Sequence, residues 1–214
     1  MKEEQVNRMQ KRCVLIAGGA VSPTQKQWLR ADDVIFAVDA GYLQATKLGV
    51  QPRLCIGDWD SCLIPQQAEE LIVLPPEKDD TDTYHAARIA VERGFQNVLI
   101  LGGLGGRLDH TLANISTLLY LREAGVTAIL ADEDTEITVL HNETRSFARR
   151  CGFYFSIFAQ QGTAQGVTLR GVKYPLQNAA VRENYPIGVS NEILLDTAEV
   201  TVKNGTLLVL YARR

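Results

Sequence analysis

Short apolar runs rich in β-branched residues alternate with helix-like segments over residues 12–132, and this alternation constrains the fold more than any other feature. Most runs are apolar at both alternating positions, as expected for strands buried on both faces of a parallel sheet that helices cover. The predicted strands are 13–17, 34–38, 54–56, 71–74, 98–101 and 128–131. The N-terminal part is therefore predicted to be an α/β domain with a parallel, Rossmann-like sheet.

Helix signals lie between these runs. Ser22-Pro23 is typical of an N-cap followed by proline at the first helical position. The other predicted helices cover residues 41–48, 82–93 and 108–124. In the last of these the apolar residues are spaced along one face of an amphipathic helix, and they are Leu108, Leu112, Ile115 and Leu119.

After about residue 133 the pattern changes to short alternating stretches without a long helix. Such alternation favours antiparallel strands with two unlike faces. Asn204-Gly205, between residues 199–203 and 206–211, is a strong signal for a two-residue hairpin. We therefore expect a polar tail over residues 1–11, an α/β domain over 12–135 and an antiparallel β-sandwich or β-roll over 136–214.

Charge and composition bound the partners. The 214 residues carry a net charge of −3 without a Lys/Arg-rich stripe, so nothing suggests a nucleic-acid or anionic-membrane partner. There is no apolar N-terminal segment typical of export, and no run near 18 apolar residues. The four cysteines show no metal-finger spacing, and Cys13 and Cys55 lie in apolar runs. We expect a cytoplasmic protein with reduced thiols that binds small molecules.

Three motifs follow predicted strands, where open α/β sheets bind their ligands. The first is Gly57-Asp58-Trp59-Asp60-Ser61. In an extended segment residues i and i+2 point the same way, so Asp58 and Asp60 can present two carboxylates to one hard cation such as Mg²⁺. The alternative is an acidic turn, since Gly, Asp and Ser are common turn residues.

The second motif, Lys78-Asp79-Asp80-Thr81-Asp82-Thr83, precedes a predicted helix. Thr81 or Asp80 can serve as the N-cap of that helix, and an acidic residue in a first turn favours the helix dipole without any function. Alternatively, a carboxylate here, such as Asp82, can complete a three-carboxylate metal site with Asp58 and Asp60.

The third motif runs from a strand into a helix and contains Gly102, Gly103, Gly105 and Gly106, followed by Arg107-Leu108-Asp109-His110. Backbone amides and the helix N-terminus can cradle a phosphate, and the planar Arg107 side chain fits its oxygens. The spacing matches neither a Walker A loop nor a dinucleotide fingerprint. The alternative to a phosphate site is a loop whose glycines serve only tight packing. For His110, the alternative to a catalytic role is a structural or solvated histidine. Together the three motifs indicate Mg²⁺-dependent phosphoryl or nucleotidyl transfer.

The motif set resembles the thiamin pyrophosphokinase (thiamine diphosphokinase) family. The resemblance covers most of the chain and keeps the motif order. The three motifs above are preceded by Asp39-Ala40-Gly41 and followed by Gly171-Val172-Lys173-Tyr174-Pro175-Leu176 and Gly188-Val189-Ser190-Asn191-Glu192. Four positions depart from the usual family residue without removing a proposed ligand, and they are Ala40, Arg53, Trp59 and Tyr84.

The resemblance implies an α/β domain that binds ATP and Mg²⁺, a C-terminal β-sandwich, and a homodimer whose thiamin sites are formed between subunits. Asp58, Asp60 and Asp82 would handle Mg²⁺ and pyrophosphate. Arg107, Asp109 and the neighbouring glycines would line the nucleotide or thiamin side of the cleft. Ser190 and Asn191 would contact thiamin from the partner subunit, and a Tyr or Phe would have to supply any aromatic stack in the β domain.

The activity implied is transfer of the β,γ-pyrophosphoryl group of ATP to the hydroxyethyl oxygen of thiamin, giving thiamin diphosphate and AMP. Asp58, Asp60, Asp82 and Arg107 are the expected catalytic residues. Two alternatives stay open, namely another Mg²⁺-dependent phosphotransferase or phosphohydrolase, and a non-catalytic thiamin or nucleotide sensor.

Overall fold

The computed structural model describes residues 11–60, 62–65, 68–77 and 79–214. Apart from Lys11, the predicted polar tail over residues 1–11 lies outside the described residues. The chain forms two compact units, which divide between Glu133 and Asp134. Each unit has its own secondary structure and core.

Six parallel strands form the sheet of the first unit. They are β1 (Arg12–Ile16), β2 (Val34–Val38), β3 (Leu54–Gly57), β4 (Glu70–Val73), β5 (Asn97–Leu101) and β6 (Thr127–Ala131), in the order β4-β3-β2-β1-β5-β6. The chain moves outward from β1 to β4, then returns to the other side of β1 as β5 and β6. The strand order therefore reverses between β1 and β5, and ligands of open α/β sheets bind at the carboxyl ends beside such a reversal.

The helices of the first unit are a 3-10 helix (Pro23–Trp28), α1 (Gly41–Leu48), α2 (Asp82–Glu92) and α3 (Leu108–Glu123). The three α-helices begin and end within one residue of the predicted helices, which confirms that prediction. Ser22 stands at the N-cap of the 3-10 helix and Pro23 begins it, as predicted. The Ser22 hydroxyl does not cap the turn but contacts the Thr24 hydroxyl and the Glu133 carboxylate.

The predicted apolar face of α3 is not the face that is buried. Leu108 and Leu112 are 71% and 57% exposed. The buried side chains are Asn114, Thr117, Leu118 and Leu121, which follow an i, i+3, i+4, i+7 stripe. Two of these four residues are polar, so an interpretation based on hydrophobicity alone selects the wrong face.

Except for the edge strand β4, whose Leu71 and Val73 are 41% and 58% exposed, the parallel strands are largely buried on both faces, as their continuous apolar runs predict. Val14, Ile16, Leu99 and Leu101 are fully buried in one cluster, and burying a side chain of this size contributes roughly 1.5–3 kcal/mol. Cys13 and Cys55 are also fully buried, which confirms their assignment to the core. Burial raises the pKa of the Cys55 thiol to about 11, so this thiol stays neutral.

The second unit consists of strands without an α-helix in its described residues, which confirms the predicted change to antiparallel structure. The strands are β7 (Thr135–His141), β8 (Thr144–Ala148), β9 (Phe153–Arg170), β10 (Leu176–Arg182), β11 (Thr197–Thr201) and β12 (Asn204–Arg213). Residues 153–160 of β9 pair with β12, and its later residues pair with β10 and β11. Between these halves the strand bends at Gln161 and Gly162, both at positive φ.

The predicted hairpin at Asn204-Gly205 is wrong. β12 pairs with β7 and β9, whereas β11 pairs with β8 and β9. A type I′ turn needs positive φ at both central residues, but only Gly205 has it. The Gly205 N–H donates instead to the Asn142 side-chain oxygen at 2.8 Å.

Among the described residues, no helix combines the length and the hydropathy needed to cross a membrane.

Candidate active site

Three carboxylates meet at the carboxyl ends of β2 and β3. Asp39 follows β2, and Asp58 and Asp60 follow β3. One carboxylate oxygen from each of the three residues lies within 4.8 Å of the others. Asp58 and Asp60 thus converge as their i, i+2 spacing predicts, although by a turn rather than an extended segment, because Trp59 between them has a φ of 60°.

The sequence motifs did not identify Asp39 as a ligand. Its φ is 48°, and its N–H donates to the Ile56 carbonyl at 2.8 Å. A Cβ on Gly57 would fall 3.0 Å from Asp39 Cα, so glycine at position 57 lets the two strand ends approach closely. The signal available in the sequence was that Asp39 directly follows the predicted strand 34–38 and belongs to the motif Asp39-Ala40-Gly41, whose role the sequence alone did not assign.

The carboxylate cluster fits a divalent cation. Asp39 Oδ1 is buried and accepts no hydrogen bond from any residue that the structure describes. Three close carboxylates repel one another without a cation, and hard oxygen ligands suit Mg²⁺. Burial, and next the charges of Asp39 and Asp60, raise the pKa of the neighbouring Cys62 thiol.

The second motif divides into a cap and a cleft residue. Thr81 is the N-cap of α2, and its hydroxyl accepts a hydrogen bond from the Tyr84 N–H at 3.2 Å. Asp80 lies near His85 and Arg88, at 3.8 and 3.9 Å. Asp82 begins α2 and lines a cleft that Asp39 also lines. Asp82 is not among the three carboxylates within 4.8 Å of one another, and Lys78 lies outside the described residues.

This cleft has a volume of about 360 Å³ and lies where the strand order reverses. Its walls come from residues 17–19 after β1, 38–40 at the end of β2, 81–83 around the start of α2, and the loop between β5 and α3 with the first turns of α3. The structure therefore brings Asp82, Arg107 and the four loop glycines to one cleft, which the carboxylate cluster borders through Asp39.

The four loop glycines serve two purposes. A Cβ on Gly102 would fall 2.6 Å from the Ala17 carbonyl oxygen, and one on Gly103 would fall 2.7 Å from Leu130. At Gly102 the obstacle is backbone, so packing requires glycine there, whereas at Gly103 the buried Leu130 side chain would have to shift. Packing, which was the alternative interpretation, therefore accounts for part of the motif. Gly105 and Gly106 have φ values of 74° and 67°, and no atom of the described residues lies within 4 Å of a Cβ built on either, so they leave the rim of the cleft open.

Polar side chains hold this loop and present a cation at its end. The buried Asn114 amide donates to the Gly103 carbonyl at 2.8 Å. The exposed Arg107 guanidinium donates to both Asp109 oxygens, at 3.1 and 2.6 Å. The hydrogen bonds from Arg107 lower the pKa of Asp109 to about 2, so this pair stays charged at neutral pH. His110 also lines the cleft, but its position at the start of α3 assigns it no role.

In the second unit, Ser190 and Asn191 lie together, and Asn191 is almost fully buried. The Asn191 amide oxygen accepts from the Tyr174 N–H at 2.9 Å, and its NH₂ group donates to the Tyr174 carbonyl at 2.8 Å. Ser190 has a φ of 58°, and its N–H donates to the Ser156 hydroxyl at 3.0 Å. The Tyr174 side chain, which the sequence did not single out as an aromatic contact, is 59% exposed.

The chain matches two family models. One describes the catalytic domain of thiamin pyrophosphokinase and matches residues 25–130, and the other describes its vitamin B1 binding domain and matches residues 135–207. The thiamine pyrophosphokinase of Bacillus subtilis (strain 168) is 26% identical over 208 residues, which cover 92% of this chain and 96% of the relative.

Solved structures of thiamin pyrophosphokinases have the same fold as this chain. The crystal structure of thiamine pyrophosphokinase from Bacillus subtilis superposes with a TM-score of 0.85 at 23% identity, covering 95% of this chain and 99% of that one. That of thiamin pyrophosphokinase from Geobacillus thermodenitrificans gives 0.82 at 26% identity, covering 96% and 98%. The two family models account for most of the described sequence, and the chain belongs to the thiamin pyrophosphokinase family.

Proposed function

We propose that this protein transfers the β,γ-pyrophosphoryl group of ATP to the hydroxyethyl oxygen of thiamin. The hydroxyl oxygen attacks Pβ, the bond from Pβ to the oxygen bridging Pα and Pβ breaks, and AMP leaves as the hydroxyl proton is released. The products are thiamin diphosphate and AMP. The observation that carries the proposal is the carboxylate cluster beside a glycine-lined cleft, within the residues that match the catalytic model.

Asp39, Asp58 and Asp60 would hold Mg²⁺, and Asp82 would face the metal-bound phosphates from the start of α2. The bound ion would neutralise phosphate charge and align the transferring group. The carboxylates contribute by fixing the position of that charge, so each of them affects rate more than fold.

Arg107 and the loop glycines would contact the phosphate chain. The Arg107 side chain is 73% exposed at the mouth of the cleft, where it forms an ion pair with Asp109. A phosphate oxygen can replace one Asp109 oxygen, because guanidinium offers five donors in a planar fork. Asp109, on the nucleotide or thiamin side of the cleft, would keep its other hydrogen bond to Arg107 and so orient the guanidinium.

The second unit would bind thiamin. It matches the vitamin B1 binding model, and Asn191 holds both backbone groups of Tyr174 while the aromatic ring stays exposed. We assign Tyr174 as the aromatic contact that the sequence could not identify, with Ser190 beside it and Asn191 as its support. The proposal includes a Rossmann-like architecture for the first unit and a β-sandwich for the second, which begins at Asp134 instead of at the predicted residue 136.

The direct test is to incubate the purified protein with thiamin, ATP and Mg²⁺ and to resolve the adenine and thiamin products by chromatography. We expect AMP and thiamin diphosphate in equal amounts, no product with EDTA, and recovery when Mg²⁺ is added in excess. ADP with thiamin monophosphate would instead establish a simple kinase. Binding of both substrates without any product would establish a sensor.

We also propose a homodimer in which thiamin sites are shared between subunits, and subunit mixing tests it. Asp82→Asn removes a cleft carboxylate of the first unit, whereas Ser190→Ala changes the second unit. If the two units of one site come from different chains, refolding the two inactive variants together restores activity that neither has alone. Activity that stays at the level of the separate variants contradicts shared sites. Mixing each variant with itself is the control.

A further inference from the structure

We infer that Trp59 is a positioning residue whose buried indole anchors the turn that brings Asp58 and Asp60 to Asp39. The inference rests on the proposed function, because it takes these three carboxylates as the metal site. Trp59 itself need not contact the metal or a substrate.

The indole ring is attached to the strands that carry the carboxylates. Trp59 is only 8% exposed although it lies in a loop. It packs in one apolar cluster with Ala37 of β2 and Cys55 of β3. Tyr42, Cys62 and Ala68 pack around this cluster. The ring therefore fixes the loop after β3 to the same two strands whose ends position Asp39 and Asp58.

The backbone at Trp59 explains why an anchor is needed. Its φ of 60° is in the left-handed region, which is unfavourable for a bulky residue. This conformation turns the chain, and the Asp60 N–H closes the turn on the Asp58 side chain at 3.3 Å. The turn also forces like-charged carboxylates together. Burial of the large aromatic ring is the favourable contact that opposes both costs.

The indole N–H does not contribute to this role. Trp59 Nε1 is buried and has no hydrogen-bond acceptor among the residues described. The ring is thus used for the packing of its flat aromatic faces, so phenylalanine should replace it whereas the branched, non-planar leucine should not. Glycine, in contrast, removes the strain of the positive φ but also removes the anchor. The two substitutions separate anchoring from backbone conformation.

The test measures Mn²⁺ affinity by electron paramagnetic resonance, together with thermal unfolding and the kcat and KM for thiamin. Trp59→Phe is expected to bind Mn²⁺ as the unchanged protein does. In Trp59→Gly and Trp59→Leu we expect Mn²⁺ affinity to fall about 10–100-fold, the effect typical of losing support for metal ligands. The KM for thiamin should stay unchanged, because Trp59 is not expected to touch that substrate.

Two controls separate a positioning role from general destabilisation. Phe95→Leu removes part of an aromatic pair with Phe36 in the same unit, so it should lower Tm without changing Mn²⁺ affinity. Asp58→Asn tests the metal site itself. If Asp58→Asn leaves Mn²⁺ affinity intact, the proposed metal site is wrong. If Asp58→Asn weakens binding but folded Trp59→Gly and Trp59→Leu bind Mn²⁺ normally, the site stands and the anchoring role is wrong.

Discussion

Asp58→Asn is expected to lower kcat by about 10²–10³-fold, the range seen when one preorganised electrostatic contact to a reacting group is lost. The substitution keeps the side-chain shape but removes one negative charge from three carboxylates within 4.8 Å of one another. In the metal-free protein, relieving repulsion of order 1 kcal/mol between such groups should leave Tm unchanged or a few degrees higher, at roughly 2–4 °C per kcal/mol. Activity and metal-free Tm, measured on the same preparation, check both effects.

Ligand-linked stability gives a second readout of the same substitution. Mg²⁺ bound only to the folded state should raise the Tm of the unchanged protein and not that of Asp58→Asn. Asp80→Asn is the matched control, because Asp80 lies near His85 and Arg88 and outside the carboxylate cluster. Full activity of Asp58→Asn at a normal Tm would remove Asp58 from the metal site.

The strands and α-helices of the first unit could be predicted because their signals are local. Buried parallel strands require continuous apolar runs, and helix starts require caps, as at Thr81. The ends of these elements are sufficient to predict that Asp58, Asp82 and Arg107 lie near one edge of the sheet. The cleft lies at this edge.

The features that were missed depend on which elements are neighbours. Asp39 joins the cluster because β2 pairs with β3, and strand order is not encoded in the spacing of motifs. The Asn204-Gly205 signal failed for the same reason, since β12 pairs with β7 and β9 instead of with β11. Asn114 escaped notice because its buried position is decided by a hydrogen bond to Gly103, which hydrophobicity does not reveal.

Ala40, one of the four positions that depart from the usual family residue, also has a structural explanation. Ala40 has ordinary helical angles, with φ of −58° and ψ of −8°, so its backbone does not need glycine. Its Cβ would lie 3.3 Å from a Cβ on residue 18, where the chain has glycine. Gly18 therefore provides the space for Ala40. The same motif contains a glycine that cannot be exchanged in this way.

Gly41→Ala is expected to destabilise the protein by about 3 kcal/mol or more, the upper part of the range for overpacked sites. A Cβ at position 41 would fall 1.8 Å from the Ile16 carbonyl oxygen and 2.7 Å from its carbon. Both are backbone atoms, so relief requires α1 to move away from the end of β1. At roughly 2–4 °C per kcal/mol, Tm should fall by about 6–12 °C.

The same movement should disturb the carboxylate cluster. The Asp39 carbonyl accepts a hydrogen bond from the Tyr42 N–H at 3.1 Å in the first turn beside Gly41, so a shift of α1 displaces Asp39. Gly49→Ala is the matched control at the end of the same helix. Its φ of 67° adds strain of about 1–2 kcal/mol, and among the described residues only Lys26 Nζ lies near a Cβ built there, at 3.5 Å. Thermal unfolding with and without Mg²⁺ compares the two variants. Gly41→Ala should have a lower Tm, and Mg²⁺ should no longer raise that Tm. Gly49→Ala should also have a lower Tm, but Mg²⁺ should still raise it. If Mg²⁺ affects both variants equally, the contact between α1 and β1 does not position Asp39.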